Sequence, residues 1–184
     1  EITFDPYAST MLVCDTSGSG KSTLTMTIIE QLCAAGYQFA IIDPEGDYAT
    51  LESAVVLGSP ERAPLVEKVL DVLRDPSGNV VVNLLGIALE HRPELCASLL
   101  AGIADMRART GRPHWLIVDE AHHLLPATWR PAADVPARLH GTLYVTVHPE
   151  SLAPSVVETI DTAMPVGEHP EQRISDLCAV AARR

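Results

Sequence analysis

The feature that most limits what this chain can fold into is a glycine-rich stretch at residues 17–23, SGSGKST, directly after the apolar run 11–14. Apolar residues then recur at helical spacing until Gly36, which is a helix stop signal. A strand, a glycine-rich loop and a helix opening on Lys-Ser are typical of a phosphate-binding P-loop. The sequence therefore predicts a strand–loop–helix unit whose loop binds nucleotide phosphates.

Each residue type in this loop has a chemical reason. Glycines let backbone N–H groups turn towards phosphate oxygens, and a helix N-terminus adds partial positive charge. We expect Lys21 to reach the β- and γ-phosphates and the Ser22 hydroxyl to bind Mg²⁺. The alternative is a plain flexible turn, which has no use for Lys-Ser-Thr at a helix start. The predicted nucleotide-binding residues are Thr16, Ser17, Gly18, Ser19, Gly20, Lys21, Ser22 and Thr23.

The loop departs from the usual pattern at Asp15, where G-x-x-x-x-G-K-[ST] has glycine. A side chain at that position strains a tight turn, and a carboxylate there repels a triphosphate. Aspartate tolerates turn conformations better than most residues do. We therefore interpret the loop as functional but weakened.

Apolar strand-like runs alternate with helical patterns along the rest of the chain. This alternation predicts an α/β fold with a mostly parallel central sheet flanked by helices, in which ligands bind at the carboxyl ends of the strands. The predicted strands are residues 11–14, 39–42, 54–57, 80–85, 115–118, 143–147 and 163–166. The predicted helices are 22–35, 62–73, 90–109, 155–160 and 171–182.

A second candidate site follows the apolar strand at 115–118, which ends in Asp119 and Glu120. We expect Asp119 to hold Mg²⁺ as a Walker B acid and Glu120 to polarise the attacking water. The alternative is a strand that happens to end in acids, with one of them capping the next helix. Coupled to an upstream P-loop, the adjacent pair favours an ATPase that activates water over a P-loop kinase.

Three segments together resemble the HerA/FtsK-type P-loop ATPases: 16–23 (TSGSGKST), 41–48 (IIDPEGDY) and 118–122 (VDEAH). The second is the most specific to that family. The resemblance covers residues 11 to about 167. Two further segments, TGRPHW at 110–115 and TVHPE at 146–150, look like a subgroup fused to a haloacid-dehalogenase-type phosphatase domain.

The resemblance implies a three-layer RecA-like sheet in which another strand separates the Walker B strand from the P-loop strand. That intervening strand normally ends in a polar sensor, often Gln. Val147 occupies the Gln position here, so Thr146 or His148 would serve instead, and His148 joins Lys21 and Glu120 as a candidate catalytic residue.

Family members also carry flanking domains and usually form hexameric rings that move DNA. The resemblance therefore implies a possible homo-oligomeric ring, contacts with other domains of the same polypeptide, and an arginine finger. The candidates for that finger are Arg92, Arg130 and Arg138.

Composition restricts the partners of this chain. The net charge is −11, from 13 basic and 24 acidic residues, which argues against a broad nucleic-acid-binding surface.

No apolar run reaches membrane-spanning length, and there is no signal-peptide pattern. Four scattered cysteines indicate core thiols in a reducing cytoplasm. We expect residues 1–184 to form one domain of a longer multidomain protein.

Two further groups of polar residues have competing interpretations. Asp43, Glu45 and Asp47 could face the water that attacks the γ-phosphate, but Pro44 and Gly46 between them favour a simple turn. Adjacent histidines at 122–123 point about 100° apart on a helix, which is poor spacing for zinc.

The function predicted from these features is an Mg²⁺-dependent ATPase domain of HerA/FtsK type that drives or gates a neighbouring domain. One alternative is a degenerate nucleotide-binding switch with little turnover, which Asp15 and Val147 favour. Another is a subunit of a DNA-translocating motor, which the acidic balance opposes. The predicted cofactors are ATP and Mg²⁺.

Overall fold

The computed structural model describes residues 9–15, 20–130, 138–167 and 169–182. Within them a seven-stranded sheet forms the centre of the molecule, in the order β3-β4-β2-β5-β6-β1-β7. All six pairings between neighbouring strands are parallel. The strands are β1 (Thr10–Asp15), β2 (Phe39–Asp43), β3 (Val55–Leu57), β4 (Val80–Asn83), β5 (Trp115–Val118), β6 (Thr142–Thr146) and β7 (Thr162–Val166).

Helices lie in five of the six connections between successive strands, which is typical of a parallel sheet, and the connection from β2 to β3 contains no helix. They are α1 (Lys21–Ala34), α2 (Val66–Arg74), α3 (Arg92–Thr110), α4 (Ala121–Leu124), α5 (Pro154–Val157) and α6 (Pro170–Ala181), with single 3-10 turns at Leu89–His91 and Pro149–Ser151.

Two apolar clusters lie on opposite faces of the sheet, because successive side chains of a strand alternate in direction. On one face, Met11 and Val13 of β1 pack with Ile29 of α1. On the other, Leu12 and Cys14 join a larger cluster that includes residues of α2 to α6. The predicted α/β fold, a parallel sheet flanked by helices, is thus confirmed.

The strand order confirms what the family resemblance implied about topology. β6 lies between β5 and β1, with Val118 opposite Tyr144 and Cys14 opposite Thr146. In a parallel sheet all carboxyl ends lie at one edge. The residues that follow β1, β6, β5 and β2 therefore meet at this carboxyl edge.

Four predicted elements overran by two residues or more at one end. The helix predicted over 90–109 begins at Arg92, and the helix predicted over 155–160 ends at Val157. The helix predicted over 62–73 begins only at Val66, because Arg62 pairs with Ser59 in an isolated bridge and Pro64 follows. The strand predicted over 80–85 ends at Asn83, whose side-chain Oδ1 accepts the backbone N–H of Leu85 at 3.0 Å and turns the chain.

No helix among the described residues combines the length and the apolar character needed to cross a membrane.

Candidate active site

The first turn of α1 lies at the carboxyl edge, directly after the end of β1. Gly20 precedes it with φ of +111°, a conformation that side chains rarely adopt, so the glycine is required there. Its carbonyl accepts the N–H of Leu24 at 2.9 Å, which starts the helix. Lys21 and Ser22 are thereby placed on the first turn. The predicted contacts of Thr16, Ser17, Gly18 and Ser19, and the side chain of Asp15, lie outside the described residues.

Lys21 and Glu120 form an ion pair between Nζ and Oε1. Their side chains are only 12% and 10% exposed, respectively. Sequence analysis assigned these residues to two separate motifs, and the tertiary fold brings the motifs into direct contact. The pair joins a cation suited to phosphate with a carboxylate suited to a water proton.

Glu120 has an unusual backbone. Its φ of 41° and ψ of 47° lie in the left-handed region, and no other non-glycine residue in the described part of the chain has positive φ. It stands at the N-cap position of α4 but makes no side-chain capping hydrogen bond. The capping alternative is therefore wrong. Strained residues of this kind cluster at functional sites.

Asp119 is nearly buried behind this ion pair, at 4% exposure. Its Oδ1 accepts the backbone N–H of Glu120 at 3.0 Å. Burial raises the pKa of Asp119 to about 7, although the positive charge of Lys21 opposes the rise. The phenol of Tyr48 is also buried, and its pKa is raised by that burial and by Asp119.

A buried carboxylate with too little positive charge around it is a good ligand for a cation. Mg²⁺ prefers oxygen ligands and is usually bound by one or two carboxylates together with phosphate oxygens. Asp119 and the exposed Ser22 hydroxyl offer such oxygens. No cage of three or more His, Cys, Asp or Glu side chains exists within the described ranges. The donor set fits Mg²⁺ that arrives with a nucleotide.

The turn after β2 is built around Asp43. Its carboxylate accepts the N–H groups of Gly46 at 2.7 Å, Asp47 at 3.2 Å and Tyr48 at 3.0 Å. Glu45 and Asp47 are exposed. The turn interpretation of this segment is therefore confirmed, and burial accounts for the raised pKa of Asp43.

The end of β6 supplies the polar groups nearest to the Val147 position. The Thr146 hydroxyl accepts the backbone N–H of His148 at 3.0 Å and lies 2.9 Å from Nδ1 of His122. Val147 is half-buried, while His148 is exposed and its Nδ1 lies 2.9 Å from Oε1 of Glu150. Of the two predicted substitutes for Gln, Thr146 has the contact that leads towards Glu120.

His122 makes that connection, and sequence analysis missed it. Its Nδ1 lies 3.3 Å from Oε2 of Glu120, and the side chain is 9% exposed. Burial, followed by the neighbouring His123, lowers the pKa of His122 to about 4, so its ring is neutral near pH 7. No spacing in the sequence indicates this contact, because it depends on Thr146 of the neighbouring strand β6.

The three arginine-finger candidates form no described bond to this site. Arg92 donates to the carbonyl of residue 87 at 3.0 Å, and Arg130 donates to the carbonyl of residue 129 at 2.8 Å. Arg138 pairs with Asp161, whose N–H bonds to the Thr10 carbonyl at the start of β1. Within this chain Arg138 therefore lies at the edge opposite the site.

Comparison with known proteins agrees with this architecture. Residues 9–98 match the family model described as "Helicase HerA, central domain". That segment contains the glycine-rich sequence 17–23 and the Asp43 turn but ends before Asp119. No curated protein matches the sequence.

Solved structures of the genome packaging NTPase B204 from Sulfolobus turreted icosahedral virus 2 are similar to this chain. Its complex with AMPPCP is 19% identical, with a TM-score of 0.65 and coverage of 97% of this chain and 85% of that one. Its complex with ATP-gammaS is 18% identical, with a TM-score of 0.66 and coverage of 98% and 89%. At this identity the likeness establishes the fold, which is that of a P-loop NTPase.

Proposed function

We propose that this domain binds ATP with Mg²⁺, hydrolyses it, and couples the turnover to a neighbouring domain or partner. The contact between Lys21 and Glu120, with Asp119 directly behind it, is the observation that carries the proposal. The match to a HerA central domain and the likeness to a packaging NTPase solved with ATP analogues support a nucleotide-driven motor domain.

Each residue has a distinct role in the proposed reaction. Lys21 binds the β- and γ-phosphate oxygens, and the Ser22 hydroxyl and Asp119 hold Mg²⁺. Mg²⁺ held by these residues would supply positive charge to stabilise the charge that develops on the phosphates. Glu120 orients the attacking water and accepts its proton. His148 remains a candidate γ-phosphate sensor at the end of β6.

Nucleotide binding competes with the ion pair of the free protein. The triphosphate carries more negative charge than one carboxylate, so it draws Lys21 away from Glu120. Release of Oε1 from the amine leaves that oxygen able to accept a proton from water. Binding and activation of the base are therefore linked through one lysine.

Two alternatives have specific support. Val147 in place of a polar sensor favours a nucleotide-binding switch with little turnover. The helicase and genome-packaging descriptions of the similar proteins favour a DNA-translocating motor, although a net charge of −11 opposes broad nucleic-acid contact. The proposal has three further parts. The domain assembles into a ring, lies in the cytoplasm, and is fused to a haloacid-dehalogenase-type phosphatase domain.

Calorimetric titration with ATP and with AMP, each with and without Mg²⁺, tests the proposal together with a phosphate-release assay. We expect Mg-ATP to bind more tightly than AMP and to be hydrolysed. Tight Mg-ATP binding without phosphate release would favour the switch. Equal affinity for ATP and AMP would contradict a triphosphate site.

A further inference from the structure

A continuous chain of polar contacts connects the end of β6 to Glu120. The backbone N–H of His148 donates to Oγ1 of Thr146 at 3.0 Å, and that oxygen lies 2.9 Å from Nδ1 of His122. The same Nδ1 lies 3.3 Å from Oε2 of Glu120. We call Thr146, His122 and Glu120 the β6–Glu120 chain. It joins residues from two neighbouring strand ends.

The neutral imidazole of His122 carries one proton, and its position sets the direction of these hydrogen bonds. We assign the proton to Nδ1, because the ionised carboxylate 3.3 Å away would repel a ring lone pair and attracts an N–H. In this tautomer the N–H donates to Oγ1 of Thr146 at 2.9 Å and faces Oε2 of Glu120. The Thr146 oxygen then accepts from both His122 and the His148 backbone, which leaves its own hydroxyl proton free to donate.

The two oxygens of Glu120 thus have different partners. Oε1 contacts Lys21, and Oε2 contacts His122. The proposed nucleotide takes Lys21 for its phosphates, so among the contacts of the described residues the one with His122 then remains to restrain the carboxylate.

We propose that His122 is a positioning residue that holds Glu120 in place for the attacking water, and that Thr146 in turn holds His122. This inference rests on the proposed ATPase function and adds to it a restraint that acts after the lysine has been released. The same chain connects Glu120 to the strand end at which the family resemblance places a γ-phosphate sensor.

A neutral imidazole suits this task. Burial keeps the His122 ring uncharged near neutral pH, and the rings of His123 and His148 lie 4.0 and 5.0 Å from it, measured between centroids. A neutral donor orients the carboxylate while weakening its basicity less than a second cation would. Packing between two other rings also restricts rotation of the imidazole.

The first experiment separates positioning from folding with three variants of the full chain. His122→Leu removes the donor, His122→Asn keeps an N–H close to the place of Nδ1, and His91→Leu is the control on an exposed histidine of the 3-10 turn Leu89–His91. We expect His122→Leu to lower kcat at least tenfold with little change in the Kd for Mg-ATP. His122→Asn should recover most of kcat, and His91→Leu should match the wild type.

Three outcomes of this experiment would overturn the inference. The first is a wild-type kcat in His122→Leu. The second is an equal fall of kcat in His122→Asn and His122→Leu. The third is a fall in the affinity for Mg-ATP that accounts for the whole loss of activity. A wild-type protein that fails to bind Mg-ATP would instead contradict the proposed function.

A second experiment tests the contacts without turnover. In ¹⁵N-labelled protein we expect the His122 ring to carry its proton on Nδ1. Thr146→Val should shift that resonance, and Thr146→Ser should leave it nearly unchanged. A proton on Nε2, or a resonance that Thr146→Val does not move, would show that the β6–Glu120 chain does not exist. Because this readout does not depend on hydrolysis, it also applies if the domain is a switch.

Discussion

Nζ of Lys21 contacts Oε1 of Glu120 although the two residues are 99 positions apart in sequence. Both side chains are about nine-tenths buried, so each charge compensates the other in a region with little water. Removing one partner of such a buried pair leaves the charge of the other without compensation. A nucleotide that replaces Glu120 as the partner of Lys21 keeps the lysine compensated. The released carboxylate then lacks that cation, which raises its affinity for a proton.

Lys21→Ala should weaken Mg-ATP binding by about one kcal/mol or more, because a charge-assisted contact to the phosphates is lost. Titration with a fluorescent ATP analogue measures the change. The matched control is Lys68→Ala, which removes an exposed lysine on α2. Unchanged affinity in Lys21→Ala would rule out the P-loop assignment.

Glu120→Gln should keep Mg-ATP binding and lower turnover about a hundredfold or more, because the amide preserves shape but accepts no proton. Phosphate release at saturating ATP measures this, and Glu67→Gln on α2 serves as an exposed control. If the isolated domain turns over too slowly, the comparison is made in its native assembly. Wild-type turnover in the Gln variant would show that Glu120 is not the base.

Asp119→Asn should stabilise the metal-free protein, and the gain should grow with pH. The folded Asp119 keeps its proton up to a pKa of about 7, whereas the unfolded residue loses it near the ordinary aspartate pKa of 3.8. Stability of the wild type is therefore lost as pH rises between these values. We expect the free energy of unfolding of Asp119→Asn to exceed that of the wild type by roughly 2 kcal/mol at pH 8, and by less at pH 4.5.

Thermal melts at both pH values test this, with exposed Asp105→Asn as the control. The same variant should lose the stabilisation that Mg-ATP confers on the wild type, because a metal ligand is gone. An Asn variant that is less stable at pH 8 would contradict the buried, under-compensated state of this carboxylate. Full Mg-ATP stabilisation in the variant would contradict its role as a ligand.

Asp15→Gly should tighten Mg-ATP binding, since it removes a carboxylate from a position where the P-loop pattern has glycine. The gain approaches one kcal/mol if the charge stays near the phosphates, and is near zero if it points to solvent. Calorimetry of both forms at low and moderate salt separates these cases, because salt screens the repulsion. Weaker binding by the glycine variant would mean that Asp15 assists the nucleotide.

Local patterns were enough to predict the main elements of the site. The glycine-rich loop located the start of α1, and the apolar run before Asp119 located β5, because both depend on residues adjacent in sequence. The parallel sheet followed from the alternation of strands and helices. Errors were confined to ends such as that of β4, where the Asn83 side chain competes for backbone groups.

His122 shows what sequence patterns could not supply. Its contact with Thr146 spans 24 positions and exists because β5 and β6 are neighbours in the sheet. Its other partner, Glu120, has a left-handed backbone, which the sequence around it does not indicate. Strand order and a single strained dihedral angle leave no periodic trace in a sequence.

The sequence by itself determined which residue types are available at the carboxyl edge: a lysine, a hydroxyl and two acids. Only the tertiary structure decided their partners, pairing Lys21 with Glu120 and Glu120 with His122. The physical reason is that strand order and burial set both the distances between distant residues and the charge states of their side chains. The raised pKa of Asp119 is one result, since it arises mainly from burial that no neighbour in sequence imposes.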